Sequence, residues 1–362
     1  MKIICVGGGP AGLYFATLMK LRNNDHQITV VERNPAGVTH GWGVVFSDRL
    51  LFNLYSNDFE TAHEIRHSSV RWYPTKLHVQ RRPALWVSGN GLSIGRRHLL
   101  DILAKRALAL GADIQFEHEV KDLSEFADAD LIVACDGMNS WLRHLYSNYF
   151  QTDVDVRQNK YIWLGTHKVF DAFTFGFEET SAGWIWFHAY HFNNDTSTFI
   201  VECLPQTWEG LGFDELGLDE SIALLEDIFA SYLDGHSLLN QMSRLGKAPW
   251  LNFQRISNEN WYHDNIVLMG DAAHTTHFTI GSGTELALED AIGLARKLHE
   301  HEDLQAALKA YEEERRHALL MPQSAAHNST QWFENIPRYI YRDARQFAFS
   351  LMNRTQATRS YF

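Results

Sequence analysis

Residues 2–15 read KIICVGGGPAGLYF: a short apolar, β-branched run, then glycines at 7, 8, 9 and 12, then helix-forming residues. The pattern is strand, glycine turn, helix, and the glycines fall on the G-x-G-x-x-G spacing. Gly7 permits a tight turn, Gly9 lets the backbone approach a pyrophosphate, and Gly12 lets helix and strand pack closely. The helix N-terminus then faces the phosphates. Working outward, residues 27–32 (QITVVE) read as a second buried strand. It ends on Glu32, where a carboxylate accepts hydrogen bonds from an unphosphorylated ribose. The unit predicts a dinucleotide site in an α/β domain, with NAD and FAD both open on this motif alone.

Three further segments belong to the same site. Arg96 opens R-x-x-L-x-x-x-L with Leu99 and Leu103, at the start of a helix over 96–110 that Gly111 stops. DADLIVACDG (128–137) is a buried strand running into an Asp136–Gly137 turn, the end of a strand where α/β sheets bind ligands. Gly270-Asp271 ends another strand, and Gly281-Ser282-Gly283 opens a helix whose N-terminus favours negative charge. Between 158 and 204 the texture changes to alternating strands with large aromatics, which predicts an antiparallel sheet. Residues 219–233, 285–299 and 303–320 read as helices.

The chain has 362 residues, a length suited to about two domains. Lys and Arg number 32 against 44 Asp and Glu, a net charge of −12, which disfavours nucleic acid and anionic membranes as general partners. Cys5, Cys135 and Cys203 are widely spaced and odd in number, so they read as buried thiols. The early glycines interrupt any signal-peptide core and no run of about 18 apolar residues occurs. The expected location is the cytoplasm.

Taken together and in this order, the four segments resemble those of single-component FAD-dependent aromatic hydroxylases. The resemblance implies a Rossmann-like α/β FAD-binding domain with an inserted antiparallel substrate sheet and C-terminal helices. It divides the chain into a discontinuous FAD domain (1–68, 95–157, 262–325), a substrate domain (69–94, 158–261) and a helical tail (326–362). It further implies that Gly7, Gly9, Gly12 and Glu32 hold the ADP half of FAD. Arg96 and Asp136 then lie near the pyrophosphate, Asp271 holds the ribityl chain and Gly281 faces the pyrimidine end. Pro10, Ala11, Arg33, Val120, Gly137 and Gly283 complete the expected cofactor contacts. Many relatives carry Pro-Pro where this chain has His277-Phe278, and Asn where it has Glu285, so contacts over 277–285 follow less directly.

GWGVVFSD (41–48), NKYIWLGT (159–166), HTTHFTIGSGTELALEDA (274–291) and NSTQWFENI (328–336) resemble the aromatic acyl-CoA hydroxylases. That subgroup includes salicyloyl-CoA 5-hydroxylase and the hydroxylase half of 2-aminobenzoyl-CoA monooxygenase. A more distant likeness is to a tryptophan-derivative hydroxylase of violacein biosynthesis. The implied reaction has NADH or NADPH reduce FAD, and O2 convert reduced flavin to a C4a-hydroperoxide that hydroxylates an electron-rich ring. The protein orients the ring and excludes water. An ortho amino or hydroxyl group activates the position para to itself, which suits 5-hydroxylation. The expected partner is a small aromatic molecule carried as a CoA thioester, bound by a monomer or homodimer. A hydroxylase of an indole-derived metabolite and a non-catalytic flavin protein keep the same motifs. Some relatives continue into a reductase-like second domain, and the end at Phe362 sets the expectation of the hydroxylase alone.

His188 and Tyr190 share one strand face while His191 points away. Either can polarise the activating substituent, or both can be satisfied core residues. Trp163, Trp184 and Trp186 can stack on a ring or belong to the core. Arg71, Lys76, Arg81 and Arg82 form a basic cluster, with Arg81 and Arg82 the candidates for CoA phosphates; a solvated edge is the plainer reading.

Three motifs compete. His63-Glu64-Ile65-Arg66-His67 matches H-E-x-x-H, but no third zinc ligand follows at family spacing. No resident metal is therefore expected. Gly91-Leu92-Ser93-Ile94-Gly95 matches a hydrolase elbow but leaves the glycine motif unexplained. Gly183-Trp184-Ile185-Trp186 matches the start of a flavin-halogenase motif that Phe187-His188 breaks.

Overall fold

The structure is a computed structural model that describes residues 1–80, 82–241 and 249–356. Strand Lys2–Val6 lies inside a six-stranded sheet, between Gln27–Val31 on one side and Leu131–Ala134 on the other. Asp113–Gln115 extends the first side. Ile266–Leu268 and then Tyr262–His263 extend the second, and every pairing is parallel except the last. Neighbours of the central strand leave in opposite directions, which opens a crevice at the strands' carboxyl ends. Gly7, Asp136 and Asp271 stand just beyond three adjacent strands there. Residues distant in sequence meet because their strands are neighbours.

Helix Pro10–Arg22 starts directly from the glycine turn, with proline at its first position, and is buried along nearly its whole length under helix Gly283–Glu300. That packing needs a bare backbone. A Cβ on Gly12 would lie 2.3 Å from the Gly7 carbonyl oxygen and 2.7 Å from Cys135 Sγ.

The aromatic strands form a second sheet of eight strands. Thr152–Thr166, Ser197–Cys203, Gly183–His191 and Phe173–Thr180 are consecutive antiparallel neighbours. One edge departs from the antiparallel expectation: Thr75–Val79 pairs parallel to Phe173–Thr180, because it arrives from a distant part of the chain without a hairpin. The period-two pattern sorts the faces. Cross-strand register aligns Phe175 with His188 and His188 with Ile200, then Phe177 with Trp186 and Trp186 with Glu202. On the other face Ile185, Phe187, Phe199 and Val201 pack with Phe229 and Leu233 into a separate apolar core.

A small sheet of Gly43–Phe46, Gly91–Gly95 and Val70–Trp72 closes the space between the two larger ones. These strands are too short and glycine-bounded to give a period-two signal. It is pinned by the Tyr190 hydroxyl, which donates to the Gly43 carbonyl (2.8 Å), and by the Gly43 N–H, which donates to Thr198 Oγ1 (2.8 Å).

Helix Leu304–Glu334 runs past the boundary expected near 320 and carries Pro322 within it. Proline removes one helical hydrogen bond. Burial on both sides holds the helix together: Leu308, Tyr311 and Leu319 before Pro322, then Ala326, Trp332 and Phe333 after it. Helix Ala344–Met352 follows and buries Phe347 against Trp332 and Phe177. The helix expected over 219–233 divides into Leu218–Ile228 and Ala230–Leu233. No helix among the described residues is long and apolar enough to cross a membrane.

Phe187 is fully buried and packs on Phe199 (4.4 Å), Tyr232 (5.1 Å) and Phe229 (5.2 Å). Phe187→Ala should lower stability by about 3–5 kcal/mol. Urea unfolding monitored by tryptophan fluorescence reads the shift.

Candidate active site

A cavity of about 640 Å³ runs from the glycine turn to the aromatic sheet face. Its first end is walled by Gly9, Pro10, Ala11 and Gly137, its middle by Arg96, Asp271, Gly281 and Gly283, and its far end by Trp163, His188 and Tyr190. Gly7 and Gly12 stand behind the wall as packing residues. Glu32 lies beside the turn, where Oε2 accepts from the Gly8 N–H (2.8 Å) and Oε1 from the Asn34 N–H (2.8 Å). Arg33 is exposed, and Val120 is buried in the core of the first sheet.

The middle of the cavity is held by a buried ionic network. Asp290, at 0% exposure, accepts from the Gly270 N–H (3.0 Å), from His274 Nε2 (2.7 Å) and from Arg315 Nε (2.7 Å). Burial pushes its carboxyl pKa up, but His274 and Arg315 outweigh this and hold it below the ordinary carboxylate range. The network fixes Gly270, whose φ of +63° suits glycine, and so aims the next residue, Asp271. Asp271 sits deep in the protein and reaches solvent through the cavity. Burial raises its pKa while Arg96 and His274 pull it back. Arg143 joins the two turns by donating to the Ala272 carbonyl (3.1 Å) and the Met138 carbonyl (2.5 Å).

At the far end His188 is 2% exposed, and its Nε2 lies 3.7 Å from Glu202 Oε2 without a hydrogen bond. Glu202 is held by Asn159 Nδ2 (2.7 Å) and Trp186 Nε1 (3.1 Å). Burial raises the Glu202 pKa, but His188, His277 and Asn159 reverse the shift, leaving it below the ordinary value. Burial lowers the His188 pKa, against the pull of Glu202, so the imidazole is neutral near pH 7. The Tyr190 proton is engaged by Gly43.

Trp186, offered from the sequence as a substrate-stacking residue, is instead fully buried and stacks on Phe333 at 5.7 Å. It shares the His188 face, but the long helix covers that part of the sheet. Trp184 donates to the Tyr341 hydroxyl (3.1 Å). Of the basic cluster, Arg71 pairs with Asp48 (2.5 Å) and Lys76 lies over Trp86 (4.9 Å). Arg82 is exposed, and Arg81 lies outside the described residues. Ser93 is fully buried inside a strand and donates to the His191 carbonyl (2.6 Å), which removes the hydrolase elbow. His63 and His67 meet on an exposed helix face, and no group of three or more potential metal ligands occurs among the described residues.

A family model described as FAD binding domain matches residues 124–321. Salicyloyl-CoA 5-hydroxylase of a Streptomyces species is 38% identical over 98% of this chain and 70% of that protein. This chain belongs to the FAD-dependent aromatic hydroxylases. This chain is also 35% identical to the 3-hydroxy-4-methyl-anthranilyl-[aryl-carrier protein] 5-monooxygenase of Streptosporangium sibiricum, over 93% of this chain and 90% of that one. Its fold is that of 2-methyl-3-hydroxypyridine-5-carboxylic acid oxygenase, with a TM-score of 0.76 at 19% identity, covering 98% and 95% of the two chains.

The hydroxylase's residues fit FAD. A Cβ on Gly9, Gly137 or Gly283 would meet nothing within 4 Å, so backbone faces open space at three points along the cavity. Asp136 Oδ1 is a buried acceptor without a protein partner, while Oδ2 accepts from the Trp141 N–H (2.8 Å). His277 and Glu285, where the sequence is expected to depart from the family's pattern, are held by local contacts. Glu285 is bound by Ser47 Oγ (2.9 Å) and Arg49 Nη2 (2.9 Å), and the His277 ring lies against Phe278 (4.3 Å) and Phe253 (4.7 Å).

Sequence reasoning missed Glu202, whose signal was a lone acid in the apolar run STFIVEC. No sequence motif marks Asp290 or Arg315, the latter a charge on the inner face of a long helix.

Asp290→Ala strands Arg315 and His274 and should destabilise the protein by about 3–5 kcal/mol. Loss of flavin during gel filtration and a lower urea midpoint are the readouts. Burial lowers the His277 pKa to about 4, against Glu202 and with help from His188, Arg157 and Arg354. The unfolded imidazole takes its proton near pH 6.5, so this contribution to stability is complete above that pH and is lost as pH falls toward 4. Between those values wild type should lose roughly 1–3 kcal/mol more than His277→Gln, read by urea unfolding at each pH.

Proposed function

We propose that the protein hydroxylates position 5 of an aromatic ring carried as an acyl-CoA thioester, a 2-hydroxy- or 2-aminobenzoyl group, with NADH or NADPH and O2 as co-substrates. The observation that carries the reading is one continuous cavity joining the FAD residues to an aromatic face where His188 is backed by Glu202. The names of two relatives support the substrate class, since each describes a 2-substituted benzoyl group on a large carrier, oxidised at position 5.

Bound FAD supplies the oxygen-transferring chemistry. The chain's residues bind and orient. Phe173, Phe175 and Ile200 make an apolar wall for the ring, and Trp163 bounds the wall beside Gly41. With Nε2 of His188 directed at Glu202, Nδ1 is the nitrogen left for the substrate. Neutral His188 accepts the proton of the ortho substituent as the ring becomes electron-rich, and Glu202 stabilises the resulting imidazolium. The buried walls exclude water from the ring. Arg82, exposed at the turn between strands Thr75–Val79 and Leu85–Val87, is the basic residue assigned to the CoA phosphates.

The test is O2-dependent oxidation of NADH and NADPH against a panel of aromatic CoA thioesters, with mass analysis. A product heavier by one oxygen atom from a 2-hydroxy- or 2-aminobenzoyl thioester is expected; oxidation unaffected by every thioester defeats the reading. His188→Gln should retain FAD and lower kcat/KM by about 10²-fold or more. Its acid limb below about pH 6.5 should flatten, since proton uptake by His188 causes that limb.

A further inference from the structure

Arg354 is a half-buried charge on the cavity wall that the proposed reaction leaves unused. It follows helix Ala344–Met352 and turns back to line the cavity. Nε donates to Ser329 Oγ (3.0 Å), Nη1 to the Leu351 carbonyl (2.8 Å) and Nη2 to the Thr279 carbonyl (2.7 Å). The guanidinium lies 5.6 Å from the Phe175 ring and 5.5 Å from the Phe333 ring. Burial lowers its pKa to about 10, opposed by Glu202, so it remains a cation at neutral pH. It forms no ion pair with a carboxylate of the described residues. A partly desolvated cation without an ion pair favours a ligand that supplies an acceptor. A guanidinium has five N–H donors, and the three bonds to protein leave two.

His188 packs on the same two rings, 4.8 Å from Phe175 and 5.4 Å from Phe333. Two polar groups of opposite habit, one a donor only and one a neutral base, therefore flank one end of an otherwise aromatic space. We propose that Arg354 is a specificity-determining residue that donates to the carbonyl oxygen of an aroyl group while His188 engages the substituent ortho to it. The proposal rests on the cavity being the aromatic substrate site. It explains how a ring would be held by two adjacent groups at once, which fixes which carbon faces the flavin end. Ser329 and Thr279 hold the guanidinium in place, one from the long helix and the other from the turn before Gly281.

The test is isothermal titration calorimetry of the FAD-loaded enzyme with two ligands: the N-acetylcysteamine thioester of 2-hydroxybenzoate, and 2-ethylphenol, which keeps the hydroxyl and lacks the carbonyl. Arg354→Met should weaken the thioester about 10- to 100-fold, the loss of one charge-assisted hydrogen bond, and change 2-ethylphenol less than about threefold. Arg354→Lys keeps the charge without the fork and should fall between. If Arg354→Met does not fold, Arg354→Lys carries the same comparison. Equal weakening of both ligands marks a merely structural residue and overturns the proposal. Wild-type enzyme that binds neither ligand overturns the cavity's assignment itself, a failure distinguishable from the first.

Discussion

The Asp290 carboxylate is the constraint on which the cofactor half of the site depends. It is fully buried and binds a backbone N–H, an imidazole and a guanidinium that come from a strand end, a turn and a separate helix. An isolated carboxylate in that position would cost several kcal/mol and would take up a proton instead. Two basic partners reverse this and keep it ionised. The geometry that follows is specific: Gly270 must hold a positive φ, Asp271 must enter the cavity, and helix Leu304–Glu334 must lie close enough for Arg315 to reach inward. The long helix is thereby fixed within its first half, and Trp332 and Phe333 reach the second sheet at its C-terminal end. One ionic knot thus sets the spacing of the two halves.

Glu202 occupies a parallel position behind the aromatic end of the cavity. It too is buried, held by neutral donors from Asn159 and Trp186, and faced by His188. The difference lies in how completely each acid is satisfied. Asp290 is closed by three hydrogen bonds from protein, which makes it a structural element. Glu202 has two, with His188 at 3.7 Å, a separation that allows the pair to tighten when the imidazole gains a proton. The same principle yields a lock in one place and a responsive pair in the other.

Much of the cofactor half was legible in the sequence, because backbone geometry restricts residue type there. The first glycine turn can be read from residues 7–12 alone, since an added Cβ at Gly7 or Gly12 would collide with neighbouring backbone. The strand ends at Asp136 and Asp271 were legible for a similar reason: the sheet's switch in direction puts ligands there. The substrate half was less legible. The period-two pattern put Trp186 and His188 on one face, but it carries no information about what covers that face. Phe333, about 150 positions later in the sequence, closes over Trp186, while His188, which also packs on Phe333, still borders the cavity. The helix read over 303–320 continues through Pro322, where local chemistry favours a break and tertiary packing on both sides overrides it. Arg354 had no motif to mark it, as its role comes only from a tail folding back.

His277 and Glu285, expected to depart from the family's pattern, are each held by neighbours beside the cavity. A proline pair stiffens backbone by restricting φ, so its replacement needs another source of rigidity. Here His277 supplies it through a side-chain contact with Thr279 (2.9 Å) and stacking on Phe278, while Thr279 in turn meets Ser329 (2.8 Å) on the long helix. A buried imidazole would be costly if charged, and its lowered pKa keeps it neutral. Glu285 presents the opposite problem, an acid at a helix start that also borders the cavity. Ser47 and Arg49 draw that charge toward the neighbouring helix Asp48–Asn57. Both substitutions are therefore answered by residues outside the turn, one through neutrality and one through pairing.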